Sequence, residues 1–185
     1  SYPLQEGVTV LDPETMREVP RDGETIGEVM FRGNIVMKGY LKNEKATQEA
    51  FAGGWFHTGD LGVLDAHGYV IIKDRSKDII ISGGENIYPA EVESALCDHP
   101  DVAEAAVIGI PDDKWGEAVK AVVVMKPGKS ATATDIINFT RERIAGYKTP
   151  KSVDFIPALP RNPSGKILRR SLREPYWAGK DRQVN

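Results

Sequence analysis

The chain has 185 residues, a formal net charge of -3 and a single cysteine, Cys97, and its length allows one domain or two smaller ones. Lys and Arg are not in surplus, so a nucleic-acid partner is not expected. Apolar runs such as 79–81 and 121–125 are far shorter than the ~20 residues that cross a bilayer. One cysteine excludes an internal disulfide framework and fits a reducing compartment, so a soluble, cytoplasmic protein is expected.

The first third of the chain predicts a small β-rich unit. Its apolar runs are short and are separated by turn-forming pairs such as Asp22-Gly23 and Gly33-Asn34. A helical pattern over 42–51, with Asn43 as its cap, predicts a short helix. Strands are predicted at 8–11, 26–32, 55–64 and 69–73.

A polar run at 74–78, Asp-Arg-Ser-Lys-Asp, interrupts apolar strands on both sides. It predicts a boundary between domains at 1–74 and 75–185. Beyond it, Gly83-Gly84 is expected to form a flexible break. Strands are predicted at 78–82, 105–110, 118–125 and 153–156, and helices at 89–98, 134–145 and 166–176. The second unit is therefore mixed, and the chain as a whole is predicted to be α+β.

Asp60 and Arg75 are the first candidate ligand-binding residues. Asp60 follows Gly59 at a strand end, where a carboxylate can accept two hydrogen bonds from a ribose diol. Arg75 comes one turn and one strand later, so a hairpin can return its guanidinium to Asp60, where it would hold ribose or phosphate oxygens. Taken alone, an Asp that closes a turn beside Gly62 and a solvated surface Arg are the simpler alternatives, and they stay open.

Gly83 and Gly84 directly follow an apolar strand. Glycine is needed where the thin chain of a ligand passes close to the backbone. A plain strand-to-helix turn explains the pair nearly as well. The three-glycine spacing of a dinucleotide site is not present, so a Rossmann site is not predicted.

Lys166 follows Asn162-Pro163-Ser164-Gly165, a loop that presents one ammonium group. Such a group can neutralise the charge that develops on an α-phosphate when a carboxylate attacks it. Ile167 stands where a P-loop would have Ser or Thr, so this is not a P-loop lysine. The alternative is a basic loop that leads into a solvated helix face bearing Arg169, Arg170 and Arg173.

No protein-bound metal is predicted. His57, His67 and His99 are not at ligand spacing, and one cysteine cannot complete a structural zinc site. No serine lies in a nucleophile elbow either, and no Cys and His pair can be placed together.

Four segments resemble successive core motifs of the adenylate-forming superfamily, which contains acyl-CoA synthetases, luciferases and the adenylation domains of peptide synthetases. They lie at 27–41, 54–60, 74–93 and 162–166. The resemblance implies that 1–74 is the β-barrel-like end of a large AMP-binding domain and that 75–185 is a mobile α+β lid domain. The family's phosphate loop, its aromatic-Gly-Thr-Glu motif and the acyl pocket are absent, so this piece is expected to be inactive alone in a pyrophosphate-release assay.

The resemblance also implies roles for single residues. Asp60 and Arg75 would grip the adenosine ribose, and Lys166 would assist adenylate formation. Lys77 matches the hinge about which the small domain rotates between half-reactions. The hinge is needed because one site must first present a lysine to ATP and later a thiol channel to the adenylate.

The second half-reaction has its own implied residues. Gly83 and Gly84 match the loop that lines the pantetheine tunnel after the rotation. Tyr147 and Lys151 fall where related ligases meet the coenzyme A nucleotide. The implied small-molecule ligands are therefore ATP, with Mg²⁺ held mainly by ATP and by the missing part, a carboxylic acid and coenzyme A.

The resemblance favours an acyl-CoA synthetase. The sequence ends soon after Lys166 without a carrier domain, which favours free coenzyme A as the acceptor. The segments 82–89 and 172–177 look most like those of bacterial fatty-acyl or aryl-CoA ligases, which favours a fatty acid. Similar bacterial ligases also predict a lysine acetyltransferase and deacetylase that act on Lys166, and a homodimer is a further expectation.

Two alternatives are kept. A carrier-loading adenylation domain or fatty acyl-AMP ligase would make the adenylate but ignore free coenzyme A. A non-catalytic nucleotide-binding or interaction module would keep only the fold. The joint presence of Lys166, Asp60, Arg75 and Lys77 argues against the second alternative, because shape alone does not need all four.

Overall fold

The computed structural model describes residues 5–179. The chain divides into two compact units, with the boundary between Lys77 and Asp78. Helices and mainly antiparallel sheets are both present, so the predicted α+β class is confirmed. The assignment of 1–74 to a large domain and of 75–185 to a mobile lid domain stays a prediction. Within residues 5–179, no helix has the length and apolar composition needed to cross a membrane.

The first unit is a four-stranded antiparallel sheet in which each strand pairs with the next along the chain. Its strands are β1 (Gln5–Leu11), β2 (Gly27–Gly33), β3 (Phe56–Leu64) and β4 (Val70–Arg75). Across its described residues the sheet is open rather than a closed barrel. Gly27 is required where β2 meets β1, because a Cβ there would lie 2.5 Å from the Leu11 carbonyl oxygen.

The small core of this unit includes the buried side chains of Val10, Val19, Val29 and Leu64. One helix, α1 (Glu44–Ala50), lies between β2 and β3 in the chain. Its predicted cap is confirmed, since the Ala46 N–H donates to Asn43 Oδ1 at 3.1 Å.

Up to residue 179, the second unit is a five-stranded sheet with three α-helices. Its strands are β5 (Ile80–Ser82), β6 (Glu85–Ile87), β7 (Val102–Asp112), β8 (Gly116–Met125) and β9 (Ser152–Phe155). The sheet order is β6-β5-β8-β7, and β9 pairs parallel to β8. The helices are α2 (Pro89–Cys97), α3 (Ala133–Arg141) and α4 (Arg169–Trp177).

The long strands β7 and β8 are covered on both faces, which explains their nearly continuous apolar sequences. Side chains alternate along a strand, so Val107 joins the core that includes Val92 and Leu96 of α2 and Ile136 of α3. Ile108 points to the opposite face, where it belongs to a second core. Leu172 and Tyr176 of α4 pack on this second core.

Three elements differ from the sequence predictions. Gly83 and Gly84 have φ angles of 62° and 86° and form the two-residue turn of a β5–β6 hairpin, not a flexible break. Helix α3 covers Ala133–Arg141 instead of the predicted 134–145. It is capped by Thr132, whose side chain forms a reciprocal capping box with Asp135. Helix α4 begins at Arg169 rather than at Lys166.

Helix α4 is held to the sheet by a polar cluster around Asp154 of β9. Lys120 of β8 has a largely buried side chain, and its Nζ lies 2.6 Å from Asp154 Oδ1. The Tyr176 hydroxyl donates to Asp154 Oδ2. The Trp177 indole N–H donates to the Gly109 carbonyl at 3.0 Å. The end of α4 is therefore hydrogen-bonded to two strands, β9 and β7.

This cluster predicts a pH-dependent contribution to stability. Burial raises the pKa of Asp154, but hydrogen bonds from Lys120 and Tyr176 outweigh burial and hold the pKa below its ordinary value of 3.8. A carboxyl whose pKa is lower in the folded state stabilises the fold above its unfolded pKa, and the contribution is lost as the pH falls through the folded pKa. Asp154→Asn should therefore lower the free energy of unfolding at about pH 7, and the difference from wild type should shrink below about pH 3.8. Denaturant unfolding of both proteins across this range measures the effect, and a pH-independent difference would contradict it.

Candidate active site

Asp60 and Arg75 lie directly opposite each other in the β3–β4 hairpin. The Arg75 Nε–H donates to Asp60 Oδ1 at 3.0 Å. The Asp60 side chain is 34% exposed and that of Arg75 is 58% exposed, so both are accessible to a ligand. An ion pair this exposed contributes little to stability.

The backbone before Asp60 is shaped by a bulge that the sequence did not reveal. The pairing of β2 with β3 shifts between Glu28 and Met30, and Gly59 has a φ of 74°. A bulge of this kind can redirect a side chain at a functional site. At the bulge, the Gly59 N–H donates to the side chain of Glu28, with Oε1 at 2.7 Å.

Glu28 is a buried carboxylate that holds the turn at Gly59 through this hydrogen bond. Its second oxygen lies 2.8 Å from His57 Nδ1, and His57 Nε2 lies 3.1 Å from the Ala52 carbonyl oxygen. The turn that carries Asp60 is thus tied to two neighbouring segments. An acidic residue between apolar residues of a strand, as in Gly27-Glu28-Val29, was the available signal for this contact.

Lys77 lies in a short 3₁₀ turn, Ser76–Asp78, at the boundary between the two units. Its side chain is exposed. Asp78, the next residue, faces Arg169 and Arg173 of α4 at 3.7 Å and 3.6 Å. The role of Lys77 as a hinge stays a prediction.

The Gly83-Gly84 turn is packed against Trp115, which the sequence analysis did not select. The Gly83 N–H donates to the Trp115 carbonyl at 2.8 Å. A Cβ on Gly83 would lie 2.7 Å from Trp115 Cε3, whereas a Cβ on Gly84 would have no atom within 4 Å. Gly83 is therefore required by packing, and Gly84 faces open space.

Lys166 lies on a closed turn before α4. Asn162 Oδ1 accepts hydrogen bonds from the Lys166 N–H at 2.9 Å and from both the N–H and the hydroxyl of Ser164. The Asn162 N–H donates back to the Lys166 carbonyl at 2.9 Å, and Gly165 supplies a φ of 84°. The backbone of Lys166 is fixed, while its side chain is exposed to solvent.

Tyr147 and Lys151 lie on the surface between α3 and β9. The Tyr147 ring is 47% exposed, and the Lys151 N–H donates to the Val119 carbonyl at 2.8 Å. Lys148, between them, instead contacts both carboxylate oxygens of Glu91 at 2.7 Å. Burial lowers the pKa of Lys148, but Glu91 outweighs burial and raises the pKa above its ordinary value. Lys148 is thus a charged structural contact, and its two neighbours are left on the surface.

The structure brings Asp60 and Arg75 into contact within the first unit. In the second unit, Gly83 and Gly84 share one turn, Lys166 lies on another, and Tyr147 and Lys151 lie in the loop before β9. The functional roles inferred for these residues remain predictions.

Comparisons with known proteins support the family. Residues 91–166 match the family described as AMP-binding enzyme C-terminal domain. The peroxisomal acetate/butyrate–CoA ligase AAE7 of Arabidopsis thaliana is 50% identical over 177 residues, covering 93% of this chain and 31% of that protein. Long-chain-fatty-acid–CoA ligase FadD13 of Mycobacterium tuberculosis is 51% identical over 152 residues, covering 82% and 30%.

A solved structure shows the same fold. The crystal structure of ATP-bound MatB from Rhodopseudomonas palustris matches this chain with a TM-score of 0.88 and 40% sequence identity. The match covers 97% of this chain and 35% of that one. The chain thus spans about a third of the length of these relatives. The fold and the matched domain assign the chain to the adenylate-forming superfamily. AAE7 and FadD13 are both CoA ligases, which agrees with the branch of the superfamily that the sequence motifs predicted.

Proposed function

We propose that the full-length protein activates a carboxylic acid with ATP as acyl-AMP and then transfers the acyl group to coenzyme A. The observation that carries this proposal is the Lys166 turn. Its backbone is closed by Asn162, and its ammonium group projects into solvent. A fixed turn with an exposed cation is suited to deliver charge to a ligand that binds elsewhere.

In the first half-reaction, Asp60 and Arg75 would hold the adenosine ribose. Asp60 would accept hydrogen bonds from the two hydroxyl groups of the diol, and the Arg75 guanidinium would contact ribose or phosphate oxygens. Lys166 would stabilise the negative charge that develops on the α-phosphate as the carboxylate attacks and pyrophosphate leaves. ATP would bring Mg²⁺ on its phosphates; within residues 5–179, no group of three or more His, Cys, Asp or Glu could hold a metal ion.

In the second half-reaction, the domain would rotate about Lys77. Gly83 and Gly84 would then line the path of the pantetheine arm, and the open space at Gly84 supports this assignment. Tyr147 and Lys151 would contact the nucleotide of coenzyme A, for which their surface positions are suitable. The coenzyme A thiolate would attack the acyl carbon, and AMP would leave.

The acid is proposed to be a fatty acid, because the relatives are named as ligases of acetate, butyrate and long-chain fatty acids. A cytoplasmic location is proposed because the chain has a single cysteine, and assembly as a homodimer is also proposed. Acetylation of Lys166 would remove the charge used in the first half-reaction. If a lysine deacetylase restores activity to enzyme isolated from cells, that regulation is supported.

The test uses full-length protein with ATP and acids from acetate to long-chain fatty acids, with and without coenzyme A. The expected products are AMP, pyrophosphate and an acyl-CoA that forms only when coenzyme A is present. Pyrophosphate release without any acyl-CoA would favour the carrier-loading alternative. ATP binding with no pyrophosphate release for any acid would favour a non-catalytic module.

A further inference from the structure

Two arginines, one on each side of the Lys166 turn, attach that turn to the body of the second unit. On the upstream side, Arg161 Nη2 donates to Glu104 Oε2 of β7 at 2.9 Å. Its Nη1 donates to the carbonyl of Gly165 at 2.7 Å. One guanidinium therefore joins the peptide immediately before Lys166 to β7.

On the downstream side, Arg169 begins α4 and reaches Glu93 of α2. Its Nη2 donates to both Glu93 carboxylate oxygens, at 2.9 Å and 2.7 Å. Glu93 Oε1 also accepts from the Val107 N–H of β7 at 2.8 Å. Arg169 Nη1 further lies 3.7 Å from Asp78 Oδ2, so the same side chain also approaches the residue after the predicted hinge.

This downstream cluster is shielded from solvent. The Arg169 side chain is 22% exposed and that of Glu93 is 15% exposed. Replacing a shielded ion pair with apolar groups often costs little stability, so such pairs are better explained by the geometry that they impose. The helix start that follows Lys166 is thereby held against α2 and β7.

Arg170, the next residue, provides an internal contrast. Its side chain is 86% exposed and forms an ion pair with Glu174 of the same helix at 2.9 Å. An exposed pair four residues apart contributes only a few tenths of a kcal/mol to the helix. The sequence had grouped Arg169, Arg170 and Arg173 as one solvated face, but the structure directs Arg169 and Arg173 inward and leaves Arg170 on the surface.

We propose that Arg161 and Arg169 are positioning residues that hold the two ends of the Lys166 turn, so that the ammonium group arrives at the α-phosphate with little freedom of the backbone. This inference rests on the proposed function. A lysine on a long flexible stem depends on a fixed backbone for its placement, and a displacement of about 1 Å can cost ~10²-fold in rate. Each arginine acts through Lys166, so its loss should affect the first half-reaction more than the second.

The test compares Arg161→Gln and Arg169→Gln in the full-length protein, with Arg170→Gln as the matched control. We expect acyl-AMP formation to fall roughly tenfold in each of the first two variants, because one of the two attachments remains. Thioester formation from supplied acyl-AMP should change less than about twofold, and the KM for ATP should stay unchanged. Arg170→Gln should match the wild type in all three measurements.

A double-mutant cycle separates positioning from general destabilisation. In a Lys166→Ala background, Arg161→Gln and Arg169→Gln should cause no further loss of acyl-AMP formation, because the group that they position is gone. Additive losses, or equal losses in both half-reactions, would overturn the proposal. Unchanged acyl-AMP formation in both variants would also overturn it.

Hydrogen exchange of the Lys166 amide provides a readout that does not depend on catalysis. The Lys166 N–H, which donates to Asn162, should exchange faster in Arg161→Gln and Arg169→Gln than in Arg170→Gln. If the wild type forms no acyl-AMP, the proposed function fails, and this exchange alone decides whether the arginines hold the turn. Unchanged exchange would reject the inference in either case.

Discussion

Replacing Lys166 with alanine in the full-length protein is expected to slow acyl-AMP formation by about 10² to 10³-fold, the loss typical of removing one preorganised charge-stabilising group. The expectation depends on an exposed ammonium group whose backbone is held by Asn162. The charge that it would neutralise develops only during attack on the α-phosphate. Thioester formation from supplied acyl-AMP should therefore be nearly unchanged.

The measurement follows pyrophosphate release for the first half-reaction and acyl-CoA formation from supplied acyl-AMP for the second. Lys129→Ala is the matched control, because Lys129 is also an exposed lysine of the second unit and pairs with Asp101 at 3.1 Å, outside the candidate site. It should retain both rates. Equal losses of the two half-reactions in Lys166→Ala would reject the assigned role.

The sequence was most informative where local pattern and burial agree. The runs that became β7 and β8 are apolar nearly throughout because both faces of the sheet are covered, so their extents were predicted to within a few residues. The hairpin that returns Arg75 to Asp60 was also foreseeable, since a turn and one strand separate them. These features depend on neighbours that are close in the chain.

The supporting contacts could not be predicted from local pattern. Arg169 and Glu93 are 76 positions apart, and Glu28 reaches Gly59 across 31 positions. Arg169 and Arg170 are the same residue type in adjacent positions, so residue type does not show that Arg169 turns inward and Arg170 outward. Only the packing of α4 on the sheet makes that distinction.

The Gly83-Gly84 turn shows the same limit at a shorter range. Two glycines can break a strand or form a tight hairpin. The choice depends on β6, which has only three residues, and on Trp115, which lies beyond α2 and β7 in the chain. The sequence therefore indicated why glycine is present but not what packs against it.

Gly84→Leu is expected to slow thioester formation by about 10²-fold, the order of loss that misplaced reacting groups cause, while acyl-AMP formation remains close to wild type. Gly84 faces open space, since a Cβ there would meet no atom within 4 Å. A leucine would extend into the space that the pantetheine arm is proposed to use. It would also be strained, because φ at this position is 86° and the left-handed region costs roughly 1–2 kcal/mol for other residues.

Gly128→Leu controls for that strain. Gly128 has a φ of 73° and also faces open space, but it lies in the turn between β8 and α3, outside the candidate site. Both variants should lose similar stability, measured by thermal unfolding, and only Gly84→Leu should lose thioester formation. Together with Lys166→Ala, the two glycine variants would assign the two half-reactions to two turns of one domain, as the proposed rotation about Lys77 requires. If the two leucine variants behave alike, Gly84 does not line the path of the thiol, and the second half-reaction uses another surface of this domain.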